Sequence, residues 1–354
     1  MKVKVIVLFL ILLAAVYQDF PMVNYFGEIA KSPIVFLVPF FLFYLLKERK
    51  MPLTNYVKTY VVYLLYIALI SLIYTIYLVV KNKSFYVFDE NLLVKNIKMF
   101  FYPLCSLIFY QFIYVFLKRT SNLYYVFQAV FYLQILLVLL LIFEVNVYKT
   151  KEVFLPFLHS STEKYWRIRL LTFESSWSGS VVVIFTFLPI FLAEYLQVSK
   201  NKRLAIYTLS VFFFFYYTLH CESKGYLFLV LISLLPMLIR YVYANKRLRY
   251  VLFILLVPIV ITFVFVYNSL KEEVISQLYT SITFGTRFTG YSAALKTFLF
   301  NPFGVGFAPY IEIYTHSILD VVSSDFMQQF NLLEVKQYLE SPKFLSSKTY
   351  FLII

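Results

Sequence analysis

Charged residues and glycines are the two things that this sequence has least of. Of its 354 residues, 14% are charged and 62% are apolar, whereas an average soluble domain has about 25% charged residues. So few polar side chains cannot cover a chain of this length in water, and part of its surface must therefore face lipid. The only two cysteines, Cys105 and Cys221, exclude a disulfide framework.

Patterns that bind nucleotides or metals are absent as well. The sequence has no P-loop and no dinucleotide-binding glycine pattern. Its three histidines, His159, His220 and His316, show no metal-ligand spacing. The stretch "SSWSGS" lacks the first glycine of a hydrolase nucleophile elbow, and no strand precedes it. We therefore expect no cofactor and no metal.

Long apolar runs recur along the chain and predict an all-α, polytopic integral membrane protein. A spanning helix needs roughly 17–25 largely uncharged residues. We predict about nine such helices, which form a bundle over residues 1–267, at 3–20, 33–46, 59–80, 99–117, 123–143, 180–199, 204–220, 225–243 and 250–267. An alternative for residues 1–20 is a signal peptide. Because no A-x-A cleavage site follows, we favour a retained first helix.

Charge predicts the orientation of this bundle. With a cytoplasmic N-terminus, the inner segments are short and almost purely basic, Glu48 being their one loop acid; they are 1–4, 47–58, 117–122, 199–204 and 240–249. This is what the positive-inside rule describes. The formal net charge of +14 is therefore a sign of topology and does not imply nucleic-acid binding. The segments 81–98, 144–179 and 268–349 are then external, the last as a large loop.

Polar residues concentrate in the outer segments. The stretch "YWRIRLLTFESSWSGS" (165–180) carries Arg167, Arg169 and Glu174, with both tryptophans of the chain. Indole rings favour the headgroup level, so this stretch is expected at the membrane interface, where its arginines contact phosphates either of lipid or of a substrate. The turn "HCESKGYL" (220–227) adds Glu222 and Lys224, either as solvated charges or as site residues.

The stretch "TFGTRFTGYSAALKTFLFNPFGVGF" (283–307) holds four of the seven glycines of the chain and Arg287. Its spacing places Tyr291, Leu295, Phe298 and Leu299 on one side of a helix, which we expect to lie on the membrane surface. The turn that follows contains Gly304 and Gly306, which let the backbone approach another group closely or merely fold the loop over the bundle.

In this order, the three stretches resemble the O-antigen polymerase and O-antigen ligase family of bacterial polysaccharide assembly. "RLLTFESSWSG" matches the family's arginine and small-residue run, and Ser223-Lys224-Gly225 matches its Ser-Arg-Gly turn. "TRFTGYSAALKTFLFNPFGVGF" matches an arginine, an amphipathic helix and an Asn-Pro-x-Gly-x-Gly turn. The resemblance covers roughly residues 160–354.

Two departures from the family pattern bear on the activity. Lys224 stands where the family usually has arginine, which keeps the charge but loses the planar fork. The family's ligases carry a His-Asn pair where this chain has His316-Ser317. The resemblance therefore favours a polymerase over a ligase.

The resemblance implies a glycosyltransferase whose substrate is an oligosaccharide linked through diphosphate to undecaprenol, at the outer face of the bacterial cytoplasmic membrane. A departing lipid diphosphate needs cations where its charge develops, and the arginine fork suits phosphate. Arg287 and Arg169 are the candidate catalytic cations, with Lys224 and Arg167 as further binding charges. The implied partners are the membrane lipid, a flippase and a chain-length regulator.

A general base would help the acceptor hydroxyl to attack the anomeric carbon. Glu174 is the best-placed acid, with Glu222 and His316 as alternatives, although a carboxylate there could equally hold an arginine in position. Gly304 and Gly306 would shape a wall along which the sugar or the diphosphate passes.

Other functions and the end of the chain complete the expectations. A transporter or flippase should carry charges or broken helices near mid-membrane, and the predicted spans contain almost no charge. The last residues, "SSKTYFLII", begin an apolar run that breaks off at Ile354. We therefore expect residues 350–354 to start a further span of a longer protein.

Overall fold

The computed structural model describes residues 2–48, 53–118, 122–150, 158–160, 168–173, 175–223, 225–227, 229–233, 236, 272 and 275–340. Within these residues the chain is helical apart from one short hairpin, so the predicted all-α class is confirmed for this part. The predicted boundary between residues 267 and 268 lies outside them.

The elements follow one another with short connections. The helices are α1 (Lys2–Val16), α2 (Val23–Phe26), a 3-10 helix (Gly27–Lys31), α3 (Ile34–Lys47), α4 (Asn55–Asn82), α5 (Leu92–Leu117), α6 (Leu123–Thr150), α7 (Ser175–Tyr195), α8 (Lys200–His220), α9 (Ile282–Phe300), α10 (Tyr310–Val322), α11 (Asp325–Gln328) and α12 (Leu333–Glu340). Between α4 and α5, β1 (Tyr86–Val87) pairs antiparallel with β2 (Glu90–Asn91).

Four helices are long and apolar enough to cross a membrane: Asn55–Asn82, Leu92–Leu117, Leu123–Val147 and Trp177–Tyr195. Two shorter apolar helices, Val3–Val16 and Ile34–Lys47, coincide with the first two predicted spans. The seventh predicted span forms α8, which is not among these four helices. The eighth lies mostly, and the ninth wholly, outside the described residues, so nine spans stays a prediction.

The chain divides into two compact units. The first contains Met1–Pro52 and Cys105–Tyr241, and the second contains Leu53–Leu104 and Val242–Ile354. The second unit therefore combines α4 and the start of α5 with helices that follow much later in the sequence.

The core of the first unit lies among α6, α7 and α8. On α6, Leu133, Leu137 and Leu141 recur at a spacing of four and are fully buried, as the inner stripe of a helix requires. A polar contact lies within this core, because Gln134 Nε2 of α6 donates to Ser210 Oγ of α8 at 2.7 Å. A second cluster joins α3 to α5, where the rings of Phe41 and Phe112 stack at 4.6 Å.

The second unit has its core around α9 and α10. Helix α9 starts at Ser281, whose Oγ accepts the Phe284 N–H at 3.3 Å. Its buried stripe consists of small residues at a spacing of four, namely Gly285, Thr289, Ala293 and Thr297. Small side chains let neighbouring backbone come close: a Cβ at Gly285 would lie 2.3 Å from the carbonyl oxygen of Asn331.

The opposite side of α9 is apolar and exposed. It carries Tyr291, Leu295, Phe298 and Leu299, each about three-fifths or more exposed. The predicted helix and its apolar side are therefore confirmed, while its position on a membrane surface stays a prediction.

Candidate functional site

The turn that follows α9 is built on a glycine and an asparagine. Asn301 ends the helix, and its Nδ2 donates to the Thr297 carbonyl at 3.2 Å while its Oδ1 accepts from Tyr74 Oη at 2.8 Å. Gly304 has a φ of 82° and donates its N–H to the Asn301 carbonyl at 2.8 Å. A φ in this region is costly for a residue with a side chain, so the turn needs glycine here.

Gly306 brings the turn into direct contact with α4. Its φ is 81°, and a Cβ built there would lie 2.4 Å from Ser71 Cα and 2.5 Å from Ser71 Oγ. Ser71 Oγ also accepts the N–H of Phe307 at 2.7 Å. Two independent constraints, the conformation and the space, therefore require glycine at this position.

Further hydrogen bonds fasten the turn along α4 and α5. Tyr66 Oη donates to the Phe303 carbonyl at 2.8 Å. The Ala308 N–H donates to Asn96 Oδ1 at 3.0 Å, and Asn96 Nδ2 donates to Thr75 Oγ1 at 2.8 Å. The turn is thus held by side chains of two helices that are each long enough to cross a membrane.

These contacts place the turn beside the middle of α4. Ser71 is eleven residues from the end of the helix at Asn82, which is about 16 Å at 1.5 Å per residue. Near that end, Asn82 Nδ2 and Lys81 Nζ contact the carboxylate of Glu312 at 2.7 and 3.3 Å. The chain from the turn to Glu312 therefore leads from the middle of α4 towards its C-terminal end.

A cavity of about 540 Å³ opens between the turn, α4 and α9. Its lining is mostly aromatic and aliphatic, and consists of Tyr63, Tyr66, Ile67, Ile70, Met99, Ala294, Leu295, Thr297, Phe298, Asn301, Pro302, Phe303, Gly304, Val305, Gly306, Phe307 and Tyr310. Pockets of this size and character hold small molecules or parts of larger ones. The two predicted glycines, Gly304 and Gly306, thus form part of its wall.

Arg287 lies on α9 on the same side as part of this cavity. It precedes Ala294 by seven residues and Phe298 by eleven, spacings that return to one face of a helix. Along the axis the separations are about 10 and 16 Å. The side chain is exposed and forms no ion pair or hydrogen bond with the residues that the structure describes. Its guanidinium is therefore available to an anion.

His316 does not join this arrangement. It lies on the exposed side of α10 and does not line the cavity. Its neighbour Ser317 is buried and accepts a hydrogen bond from Thr297 Oγ1 at 2.9 Å, which ties α10 to α9. Ser317 therefore has a packing role at this position.

The first unit holds a separate cluster of charged residues around Asp19, just after α1. Asp19 is fully buried, and its Oδ2 lies 2.7 Å from His159 Nδ1 and 3.5 Å from Arg169 Nη1. Its Oδ1 accepts from the N–H of Ser160 at 3.2 Å and from the Ser160 hydroxyl. Burial by itself would raise the pKa of Asp19, but the hydrogen bonds from His159 and Ser160 and the charge of Arg169 hold it below its usual value.

The backbone of Arg169 is held as firmly as its side chain. Glu144 Oε2 accepts the N–H groups of Arg169 and Leu170 at 3.1 and 3.0 Å. The Arg169 carbonyl accepts from both the N–H and the hydroxyl of Thr172 at 2.8 Å. Leu170 has a φ of 49°, which a bulky residue adopts only where its surroundings impose it. Arg169 therefore occupies a rigid turn, in which it is 6% exposed.

The fate of the remaining predicted site residues differs. Arg167, Glu174 and Lys224 lie outside the described residues. Glu222 is exposed and has a φ of 45° in the connection after α8. The residues that the sequence analysis missed are Asp19, Glu144, Ser71 and Asn96, together with the role of His159. Only Asp19 had a visible signal, as an acid directly after an apolar run.

No group of three or more histidine, cysteine, aspartate or glutamate residues suited to a metal ion occurs in the part of the chain that the structure describes. The polar groups that face the cavity are tyrosine hydroxyls, Asn301 and backbone carbonyls. These groups orient a ligand by hydrogen bonds, while the apolar majority of the lining supplies the contact area.

No family model, no curated protein and no solved structure matches this chain. The resemblance to the O-antigen polymerase and ligase family therefore depends on the three motifs alone. The argument for function starts from the geometry of the site.

Proposed function

We propose that this protein is a glycosyltransferase that polymerises undecaprenyl-diphosphate-linked oligosaccharide units into surface polysaccharide, at the outer face of the bacterial cytoplasmic membrane. The observation that carries the proposal is the pairing, on one face of α9, of an unengaged arginine with an apolar cavity about 10 Å further along the helix. A ligand that satisfies both has an anionic head and an apolar chain.

The chemistry of the lipid-linked donor fits these two features. Its diphosphate binds a guanidinium through two oxygens at once, and Arg287 supplies that fork. Its isoprenoid chain is flexible and apolar, and the cavity offers mostly aromatic and aliphatic surface. The cavity adjoins the middle of a helix that is long enough to span a membrane, which is where a lipid chain lies.

The transfer itself needs three events. The oxygen of an acceptor hydroxyl forms a bond to the anomeric carbon of the donor sugar, and its proton passes to a general base. The bond between that carbon and the phosphate oxygen breaks, and its electron pair leaves with the lipid diphosphate. Arg287 stabilises the charge that develops on this leaving group. Glu174 is our candidate base, with Glu222 and His316 as alternatives, and Arg169 is the candidate second cation.

A ligase that transfers finished glycan to its last acceptor uses the same donor chemistry, as does part of a flippase's binding step. The three differ in what accumulates when the protein is missing. Loss of a polymerase leaves single repeat units on the carrier, loss of a ligase leaves long chains on the carrier, and loss of a flippase leaves units on the inner face.

The test compares variants in a strain that lacks the gene, with its polysaccharide resolved by size. We expect the wild-type gene to restore a ladder of long chains, Arg287→Ala to leave single units, and Arg287→Lys to restore less than about one tenth of the polymer, because lysine lacks the fork. The matched control is Lys296→Ala, a basic residue of the same helix that pairs with Asp320 at 2.9 Å and does not line the cavity.

A second pair of variants tests the cavity. Ala294→Trp fills it from α9 and should abolish the ladder while the protein still reaches the membrane. Leu299→Trp adds the same side chain to an exposed position of α9 that does not line the cavity, and should keep the ladder. Wild-type polymer from both Arg287→Ala and Ala294→Trp would contradict the assignment of this site.

A further inference from the structure

The cluster around Asp19 is an expensive arrangement for a protein of this composition. Four ionisable side chains meet there: Asp19 after α1, Glu144 on α6, His159 and Arg169. Burying charges costs free energy that well-packed apolar residues would not, and a buried ion pair is therefore weak as a device for stability alone. A chain that is 62% apolar had ample alternatives for filling this space. The retained charges suggest a function.

The carboxylate of Asp19 cannot turn away from its partners. Its Oδ1 is held by the N–H and the hydroxyl of Ser160, and its Oδ2 faces both His159 Nδ1 and Arg169 Nη1. One fixed oxygen thus sets the direction of an imidazole and of a guanidinium. The hydrogen bond between Gln18 N–H and the Leu171 carbonyl, at 2.8 Å, fastens the segment of Asp19 to that of Arg169.

The backbone of Arg169 is constrained independently, by Glu144 on its N–H and by Thr172 on its carbonyl. A counter-ion that only neutralised Asp19 would not need a backbone fixed at both ends. Because both the backbone and the guanidinium are held, the position of this cation is defined closely. Such definition is what a group that meets developing charge requires.

We propose that Asp19 is a positioning residue for glycosyl transfer and that it acts through Arg169. The proposal rests on the proposed function, in which Arg169 is the second cation. Asp19 fixes the direction of the guanidinium, and His159 and Ser160 fix Asp19. Replacing Asp19 leaves the charge of Arg169 in place but releases its orientation, so the loss falls on the chemical step rather than on substrate binding.

The experiment uses the full-length protein in lipid vesicles with a purified lipid-linked oligosaccharide, and follows chain growth under initial-rate conditions. We expect Asp19→Asn to lower kcat at least about tenfold with KM changed less than about twofold. Arg169→Lys should also lower kcat. The double variant should be no slower than Arg169→Lys alone, to within about twofold, because Asp19 has nothing further to position.

The matched control is Glu312→Gln in the second unit. Glu312 is also a nearly buried carboxylate, held by Lys81 and Asn82, and its loss removes a comparable ion pair. We expect its kcat within about twofold of wild type once the folded amounts are matched by thermal unfolding. A general effect of removing a buried acid would lower both variants alike.

If Asp19→Asn does not fold, Asp19→Glu decides the question, since it keeps the charge and moves the carboxylate by one methylene. A kcat reduced at least about threefold supports positioning, and a wild-type kcat overturns it. Effects of Asp19→Asn and Arg169→Lys that multiply in the double variant also overturn it. Absence of polymer from the wild-type protein would instead refute the proposed function.

Discussion

The glycine turn of the second unit and the charged cluster of the first both join segments that are far apart in the sequence, but by opposite means. The turn uses backbone: Gly306 removes a side chain so that residue 306 can touch Ser71. The cluster uses side chains: Asp19 reaches His159 and Arg169, and Glu144 reaches the backbone of Arg169. The turn defines a space for a ligand, and the cluster defines the direction of one cation.

This difference has a consequence for what each region tolerates. A contact made by the absence of atoms is destroyed by adding one methyl group, whatever its charge. A contact made by charge is destroyed by removing either partner, because the other stays buried without a counter-ion. Three predictions separate the two cases, from the largest expected effect to the smallest.

The largest effect is expected from breaking the buried ion pair. Asp19→Leu and Arg169→Leu should each lower the free energy of unfolding by about 3–5 kcal/mol, and the double variant should lower it by less than the larger single effect. Chemical unfolding in detergent measures all three. The control is Arg203→Leu, whose pair with Glu194 is partly exposed at 34% and 49%, and which should cost less than about 1 kcal/mol. Additive losses in the double variant would count against a coupled pair.

The next effect comes from a series of glycine substitutions. Gly306→Ala violates both the conformation and the space at its position, so we expect a loss of about 2–4 kcal/mol. Gly304→Ala violates the conformation alone, because nothing lies within 4 Å of its added Cβ, and should cost about 1–2 kcal/mol. Gly225→Ala meets neither constraint and should change little. Equal losses at Gly306 and Gly304 would show that the contact with Ser71 yields.

The smallest effect is the pH dependence that Asp19 confers. Its pKa is lower in the folded than in the unfolded protein, where an aspartate titrates near about 3.9. The unfolded state therefore takes up its proton first as the pH falls. The stabilisation is complete above that value and is lost as the pH falls through the folded pKa.

The measurement is the thermal midpoint of the wild type and of Asp19→Asn from about pH 6 to about pH 3. The difference between the two proteins should shrink towards the acid end of this range. A difference that stays constant would show that Asp19 stabilises by packing rather than as an anion.

Much of the second unit was predictable from sequence because its signals are local. Glycines and a proline after a run with helical spacing predicted α9, its apolar side and the turn. The partner of the turn was not predictable, since α4 lies more than two hundred residues earlier and nothing in "YIALISLIYTIY" marks Ser71 as its contact.

The cluster of the first unit was missed for the same reason. Arg169 was identified from its neighbours in the chain, whereas its partner Asp19 comes 150 residues before it. Single acids and histidines at the ends of apolar runs are common and carry no information about their partners. The signal lies in their convergence, which only the packing of α1, α6 and the segment after α6 creates.

What the sequence determined by itself is therefore the solvent and the local geometry. Composition and the length of its apolar runs require lipid, because hydrogen bonding within helices is the way such a chain can satisfy its backbone there. Glycine and helical spacing determined the turn and the face of α9, since these depend on residues a few positions apart. The tertiary structure decided which distant side chains meet, and so made Ser71 the floor of the turn and Asp19 the anchor of Arg169. Those contacts depend on how the helices pack, and packing depends on the shapes of many side chains at once.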